Sequence, residues 1–268
     1  MTDDPTPATS DDANLPNPLT GVRWGLWEVA SGLVVFLTLL AGVSILATAT
    51  PLRDAMLANL ELVGFVSSIV AYGGLLLVIV IASRRLGLRR LADDFGLRFR
   101  PVDILIGLGI GILGRIVTVL VTIVTISLTG YTPPRGNFVL ASEPLWIALN
   151  GFVIAAIVAP FIEELFFRGL FLRSVRNRVL RRAKTQPTDA ATNERAAIIA
   201  IAVSSVAFMA LHLYQADNWT LFIILGVSTL FVGVLNGFVA VRTGRIGGPI
   251  IGHLVFNGSA VLLSLLAV

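Results

Sequence analysis

Seven long apolar stretches constrain the fold more than any other feature of this sequence. They cover approximately residues 24–48, 58–83, 102–129, 144–172, 196–214, 219–241 and 248–267. Each has the roughly 18 residues that an α-helix needs to cross the hydrocarbon of a bilayer. Only 13% of the chain is charged, whereas a soluble domain carries about 25% charged residues. We therefore predict an all-α, polytopic membrane helical bundle with about seven transmembrane helices, and eight as the upper count.

Basic residues cluster at alternate connections between these stretches. The clusters are Arg84, Arg85, Arg89, Arg90, Arg98 and Arg100, then Arg173, Arg176, Arg178, Arg181, Arg182 and Lys184, and finally Arg242 and Arg245. The other connections carry only Arg53 and Arg135 as bases. The positive-inside rule predicts a multi-pass protein of the cell membrane with a cytoplasmic N-terminus and an external C-terminus. The net charge of +4 thus indicates contact with lipid headgroups and no nucleic-acid partner.

Four ionisable residues lie inside the apolar stretches of the second half: Glu163, Glu164, His212 and His253. Such groups are expensive in hydrocarbon and usually mark a functional site. On a helix, Glu164 and Arg168 share a face and can form an ion pair, whereas Glu163 projects about 100° away. Glu163 is then free to act as a general base. The alternative is a buried polar network that only fixes helix packing.

Two further pairs have the same four-residue spacing, Phe208 with His212 and His253 with Asn257. Two imidazoles and one carboxylate form the three-ligand set that holds a catalytic zinc with an open position for water. The same groups without a metal can activate water by abstracting its proton. Both possibilities stay open, with Glu163, His212 and His253 as the candidate ligands of a divalent metal such as zinc. Asn257 is a candidate donor to a developing oxyanion or to a ligand.

Three motifs in this order resemble the CPBP family. Glu163-Glu164-Leu-Phe-Phe-Arg168 matches EExxxR, Phe208-Met-Ala-Leu-His212 matches FxxxH, and His253-Leu-Val-Phe-Asn257 matches HxxxN. This family contains CAAX prenyl endopeptidases and bacteriocin-processing enzymes, also called Abi proteins. The resemblance covers about residues 144–268 and implies an intramembrane endopeptidase, either a metalloprotease or a glutamate-dependent hydrolase.

The resemblance also implies roles for the motif residues. Glu163 activates the attacking water with His212, while His253 and Asn257 complete the site and stabilise the tetrahedral intermediate. Glu164, Arg168 and Phe208 are expected to support them. The implied substrate is a membrane-embedded or lipidated peptide, such as a prenylated CAAX protein or a leader peptide; the sequence fixes neither its identity nor the oligomeric state.

The resemblance divides the chain into three parts. Residues 1–20 are polar and rich in Asp and Pro, which indicates a disordered cytoplasmic tail. Residues 21–142 form N-terminal transmembrane helices, and residues 143–268 form the catalytic core. Two alternatives use the same Glu and His groups differently: a proton-coupled transporter, and a non-catalytic membrane scaffold or immunity protein.

Helix geometry sets a condition on any catalytic site. Glu163 lies about nine residues, roughly 13 Å, from the cytoplasmic end of its stretch, but His212 lies about 16 residues, roughly 24 Å, from its own. Upright helices would keep them apart, so tilt, a fifth helix that begins in the cytoplasm, or a break near Pro160 is required. In the third stretch, the small residues Gly107 and Gly111 predict close helix packing, and Arg115 is expected to face the bundle interior.

Overall fold

The computed structural model describes residues 21–49, 51, 53–130, 143–183 and 189–266, and within these ranges every regular element is a helix. Seven helices are long and apolar enough to span a membrane: α1 (Leu26–Ala49), α2 (Leu60–Leu86), α3 (Val102–Thr129), α4 (Pro144–Ala183), α5 (Ala190–Leu213), α6 (Trp219–Thr243) and α7 (Gly247–Leu266). Two short helices, Arg53–Leu57 and Leu91–Phe95, lie in connections. The predicted all-α membrane bundle is confirmed, and the predicted tail at 1–20 lies outside the described residues.

The bounds of two helices differ from the sequence expectation. Helix α4 continues past 172 to Ala183, and α5 begins at Ala190 instead of 196. The extra segments are charged, so a search for apolar runs ends before the helix does. Asp189 caps α5 by accepting hydrogen bonds from the backbone N–H groups of Ala191 and Thr192. Helix α5 therefore begins in a polar segment, as the position of His212 required.

The surface of the bundle is apolar where a soluble protein would be polar. On α3, Leu105 is 71% exposed and Leu128 is 81% exposed. Glu164, Arg168 and Asn236 are instead completely buried. This distribution suits a protein whose surrounding solvent is lipid and whose polar groups find their partners internally.

Close packing of α3 against α7 depends on glycine. A Cβ atom on Gly107 would lie 2.5 Å from the side chain of Ile251, and one on Gly111 would lie 2.4 Å from Val255. Both distances are far shorter than a van der Waals contact, so only glycine lets the two backbones approach this closely. The prediction of close helix packing at these glycines is confirmed. The contact matters for function because α7 carries His253 and Asn257.

Two buried aspartates organise the end of the bundle at which the basic clusters lie. Asp103 at the start of α3 binds Arg245, with Oδ1 2.7 Å from Nη2. This hydrogen bond raises the pKa of Arg245 above its ordinary value. Asp94 accepts hydrogen bonds from the indole N–H of Trp24 at 3.0 Å and from the hydroxyl of Ser83 at 2.6 Å. These contacts tie the segment that leads into α1 to the rest of the bundle.

Candidate active site

The two glutamates lie in a short α-helical segment of α4 between two π-helical stretches. The segment is Ala159–Glu164, and the flanking stretches are Ile147–Val158 and Leu165–Phe171. Pro160 lacks an N–H group and its ring crowds the preceding turn, so a regular α-helical ladder cannot continue through it. π-Helical turns absorb such an interruption and are frequent at functional sites. Of the three alternatives that the sequence offered, a break near Pro160 is present as a change of helix type.

Glu163 is the point at which side chains from four helices meet. Its Oε1 accepts a hydrogen bond from the hydroxyl of Tyr72 on α2 at 2.5 Å. Its Oε2 lies 3.9 Å from Nε2 of His212 on α5 and 3.8 Å from Nε2 of His253 on α7. The Glu163 side chain is 12% exposed. The required convergence of Glu163 and His212 is thus met, well within the roughly 10 Å beyond which they could not share a water.

The two histidines are oriented by bonds on their other ring nitrogen. Nδ1 of His212 lies 2.8 Å from the carbonyl oxygen of Phe208, and Nδ1 of His253 lies 3.0 Å from Oε1 of Glu164. Both partners are acceptors, which assigns the proton to Nδ1 in each neutral ring. Each Nε2 then directs its lone pair towards Glu163. Three acceptor atoms therefore face one another, an arrangement suited to a group that donates protons to them.

Glu164 is the centre of a second, fully buried cluster. Its Oε1 lies 3.1 Å from Nη1 of Arg168 and accepts a hydrogen bond from Nδ2 of Asn236 at 3.0 Å. Nη2 of Arg168 also donates to the carbonyl of Gly233 at 3.1 Å. The ion pair expected from the helical spacing of Glu164 and Arg168 therefore forms. Because Oε1 also contacts His253, this cluster fixes the ring that faces Glu163.

The ring of Phe208 separates the two clusters. Its centroid lies 4.5 Å from that of His212 and 5.4 Å from that of His253. On the other side, Cζ of Arg168 lies 4.5 Å from the Phe208 centroid. This geometry is that of a cation–π contact, which stabilises a buried guanidinium. Phe208 thus supports both histidines by packing.

Asn257 lies one turn after His253 on α7, in the wall of a cavity that also contacts Glu163 and both histidines. Its Nδ2 donates to the carbonyl oxygen of Ala155 in the π-helical part of α4 at 2.8 Å. A side-chain amide carries two N–H donors, so this bond leaves a second donor on the same nitrogen. Asn257 therefore makes a hydrogen bond that packs α7 against α4 and also lies next to the site with a free N–H donor.

A cavity of about 720 Å³ extends from Glu163 and both histidines. Its wall includes Leu60 and Glu61 at the start of α2, Trp146 at the start of α4, and Gln215 just after α5. All of these lie at the end of the bundle opposite the basic clusters, since α2 and α4 begin there and α5 ends there. The cavity accordingly extends from Glu163 towards the end with few basic residues.

Two residues of the site were not found from the sequence, Tyr72 on α2 and Asn236 on α6. Both lie inside apolar stretches, and tyrosine in membrane proteins is enriched at the interfaces instead. The depth of Tyr72 was the available signal. It named no partner, because the bonds to Glu163 and Glu164 join residues far apart in the sequence.

The side chains of Glu163, His212 and His253 have the donor atoms of a metal site. Two imidazole Nε2 atoms and a carboxylate, with each Nδ1 bonded to an acceptor, have the chemistry of a zinc site and its supporting hydrogen bonds. Within the described residues, however, no group of three or more His, Cys, Asp or Glu side chains has an arrangement that could hold a metal ion. The three side chains named from the sequence as candidate ligands lie close together. The divalent metal expected there stays a prediction.

Tyr72 provides a test of the site that leaves its packing intact. Tyr72→Phe removes the donor to Oε1 of Glu163 but keeps the ring that packs against Phe36 at 5.2 Å. A hydrogen bond to a charged group contributes about 1.5–3 kcal/mol, so we expect kcat of the reaction at this site to fall by about 10- to 100-fold with little change in KM. Steady-state kinetics measure this. Phe36→Leu is the control, since it alters the packing only, and an equal loss of kcat in both variants would contradict the prediction.

These observations define a class: a multi-pass membrane protein with a buried Glu–His–His site open to an internal cavity. The profile of the family described as "Rce1-like: Type II CAAX prenyl endopeptidase Rce1-like" matches residues 144–259, which hold all three motifs. The match supports the resemblance of the second half of the chain to the CPBP family of CAAX-type intramembrane proteases. No curated protein and no solved structure matches the chain. The family points to a protease, and therefore a hydrolase, acting on a membrane-associated peptide.

Proposed function

We propose that this protein is an intramembrane endopeptidase in which Glu163, assisted by His212 and His253, activates water to hydrolyse a peptide bond. The observation that carries the proposal is the convergence of both Nε2 atoms on Oε2 of Glu163, at 3.9 and 3.8 Å, beside the cavity. In the assigned tautomers all three atoms are acceptors. A water molecule, with two hydrogens to donate, is the reactant that such a group orients.

The proposed reaction begins with proton abstraction. One O–H bond of the water breaks, its proton moves to Oε2 of Glu163, and the oxygen forms a bond to the carbonyl carbon of the peptide. The carbonyl oxygen becomes an oxyanion. When the C–N bond breaks, Glu163 returns the proton to the leaving amine, so the carboxylate is regenerated. Tyr72 holds Oε1 during both steps, which leaves Oε2 as the atom that exchanges the proton.

The second N–H of Asn257 is the proposed donor to the oxyanion. Its bond to the carbonyl of Ala155 holds the amide in place, so little reorganisation accompanies the reaction. His253 is held in the same way through Glu164 and Arg168. A donor that is positioned in advance in a water-poor site stabilises a developing charge more than a mobile one does.

The proposal is tested by peptide cleavage. The purified protein is reconstituted in lipid and incubated with a library of prenylated and unprenylated membrane peptides, and products are identified by mass spectrometry with and without a chelator. We expect defined cleavage products. Loss of products with chelator, restored by zinc, would assign a metal to Glu163, His212 and His253. Proton-coupled flux without cleavage would overturn the proposal in favour of a transporter.

The expected orientation places the cavity mouth on the outer side of the cell membrane, because the mouth lies opposite the basic clusters. The chain contains no cysteine, so single-cysteine variants report accessibility directly. Ser68→Cys places a thiol in the cavity wall, and Arg178→Cys places one in the exposed basic part of α4. We expect an impermeant maleimide to label the first in intact cells and the second only in inverted vesicles.

Two other labelling patterns would be informative. If Arg178→Cys reacts in intact cells and Ser68→Cys only in inverted vesicles, the orientation is the reverse of the one expected. If both react only in inverted vesicles, the cavity is reached from the basic, cytoplasmic end. A cavity open to the outside favours an exported or leader-type peptide as substrate over a lipidated protein of the cytoplasm.

A further inference from the structure

Arg115 is a cation in the wall of the cavity that the proposed mechanism does not use. It lies near the middle of α3 and is half-buried. Its Nη2 donates to the carbonyl of Phe256 at 2.6 Å, and its Nε donates to the hydroxyl of Ser259 at 3.0 Å. Its Cζ lies 4.7 Å from the centroid of the Phe256 ring. The expectation that Arg115 faces the bundle interior is thus confirmed, and all these partners are neutral.

Arg115 lacks the counter-ion that Arg168 and Arg245 have. Arg168 pairs with Glu164 and Arg245 pairs with Asp103. Among the described residues, no carboxylate lies within 4.0 Å of Arg115. A cation at membrane depth is costly, and such residues typically face a cavity and bind what passes through it. The neutral contacts reduce this cost but do not neutralise the charge.

The guanidinium has donors left for a ligand. It carries five N–H groups in a planar fork, and the contacts to Phe256 and Ser259 occupy one on Nη2 and the one on Nε. Carboxylates match this fork, because two oxygens can accept from it at once. The wall of the cavity therefore presents a binding group for a carboxylate.

The position of Arg115 relative to the catalytic groups sets the distance between the scissile bond and a substrate group that Arg115 can bind. Phe256 and Ser259 follow His253 on α7 by three and six residues, which is roughly 4.5 and 9 Å along the helix axis. An extended peptide advances about 3.3 Å per residue. A peptide whose scissile bond lies at Glu163 and His253 would thus have the residue about one to three positions further on beside Arg115.

We propose that Arg115 binds a carboxylate of the substrate that lies about one to three residues beyond the scissile bond. This inference rests on the proposed endopeptidase function. The carboxylate comes either from the C-terminus of the peptide or from an acidic side chain. Arg115 is then a specificity-determining residue, and its contacts with Phe256 and Ser259 keep it in place.

The test uses the peptide that the library shows to be cleaved best. Three forms are synthesised with about one to three residues after the scissile bond: a free C-terminal acid, a C-terminal amide, and an amide with an aspartate at the last position. For the wild-type protein we expect kcat/KM to be at least about tenfold higher for the acid than for the amide, mainly through KM. Recovery by the aspartate peptide would identify a side-chain carboxylate as acceptable, and no recovery would restrict the site to C-termini.

Arg115→Gln is the decisive variant. Glutamine is uncharged but retains N–H donors for the carbonyl of Phe256, and we expect the ratio of acid to amide cleavage to fall to about one. Thr118→Val, in the cavity wall one turn further along α3, is the matched control and should keep the wild-type ratio. A purely structural role of Arg115 would lower both rates together and leave the ratio unchanged, which would overturn the proposal.

The comparison of acid and amide needs only the wild-type protein, so it remains decisive if Arg115→Gln does not fold. Equal wild-type cleavage of both forms would overturn the carboxylate site and leave the endopeptidase intact. Absence of cleavage of every peptide would instead overturn the proposed function and this inference with it. The two failures are thus distinguishable in one set of reactions.

Discussion

Replacing Glu163 by glutamine is expected to lower the rate of peptide cleavage by at least about 100-fold, because a positioned general base contributes about 10²- to 10⁴-fold. The amide keeps the shape of the side chain and can still accept the hydrogen bond from Tyr72. It cannot take a proton from water. We therefore expect kcat to fall while KM and the thermal unfolding of the protein stay close to those of the wild type.

Glu61→Gln is the matched control for this experiment. Glu61 lies in the wall of the same cavity but at its mouth, at the start of α2 and away from both histidines. The substitution removes one negative charge from the cavity, as Glu163→Gln does, so an electrostatic effect on substrate entry would appear in both variants. Full activity of Glu163→Gln, with Glu61→Gln also active, would show that Glu163 is not the base.

The second large effect is expected on stability. Arg168→Met leaves the charge of Glu164 fully buried without its cation, and removing one partner of a buried ion pair typically costs about 3–5 kcal/mol. The same change removes the donor to the carbonyl of Gly233 and the cation over Phe208. We expect a marked fall in the thermal unfolding midpoint in detergent, together with loss of activity, since Glu164 orients His253.

The double variant Glu164→Gln/Arg168→Met separates charge from packing. It contains no unpaired charge, and the glutamine oxygen can still accept from Asn236 and His253. We expect it to unfold at a higher temperature than Arg168→Met alone. If the single variant is as stable as the wild type, or if the double variant is the less stable of the two, the buried pair does not stabilise the site in the proposed way.

Much of the fold could be predicted from the apolar stretches. Backbone N–H and C=O groups must be hydrogen-bonded within lipid, so each stretch is expected to form a helix. Charged helix ends were the exception: α4 runs to Ala183 and α5 begins at Ala190, where apolar length gives no signal. Close packing of α3 at Gly107 and Gly111 was also predictable, since they lie at the spacing of small residues on one helix face, but its partner α7 was not.

The candidate site was predictable only in part. Helical spacing placed Glu164 with Arg168 and left Glu163 outside that pair, and both features are present. Spacing within one helix carries no information about other helices. Helical spacing therefore could not predict the contacts between helices. These are the bond from Tyr72 to Glu163, the bond from Asn236 to Glu164, and the bonds from Arg115 to a backbone carbonyl and a hydroxyl.

The sequence by itself determined that the chain crosses a membrane as helices, and it identified the ionisable residues that are too costly there to be incidental. Only the tertiary structure decided which of these residues meet. The helix type of α4 changes on both sides of the segment that contains Pro160, and α5 begins earlier than its apolar stretch does. A side-chain contact between helices depends on tilt, register and helix type together, and these are fixed by packing over the whole bundle.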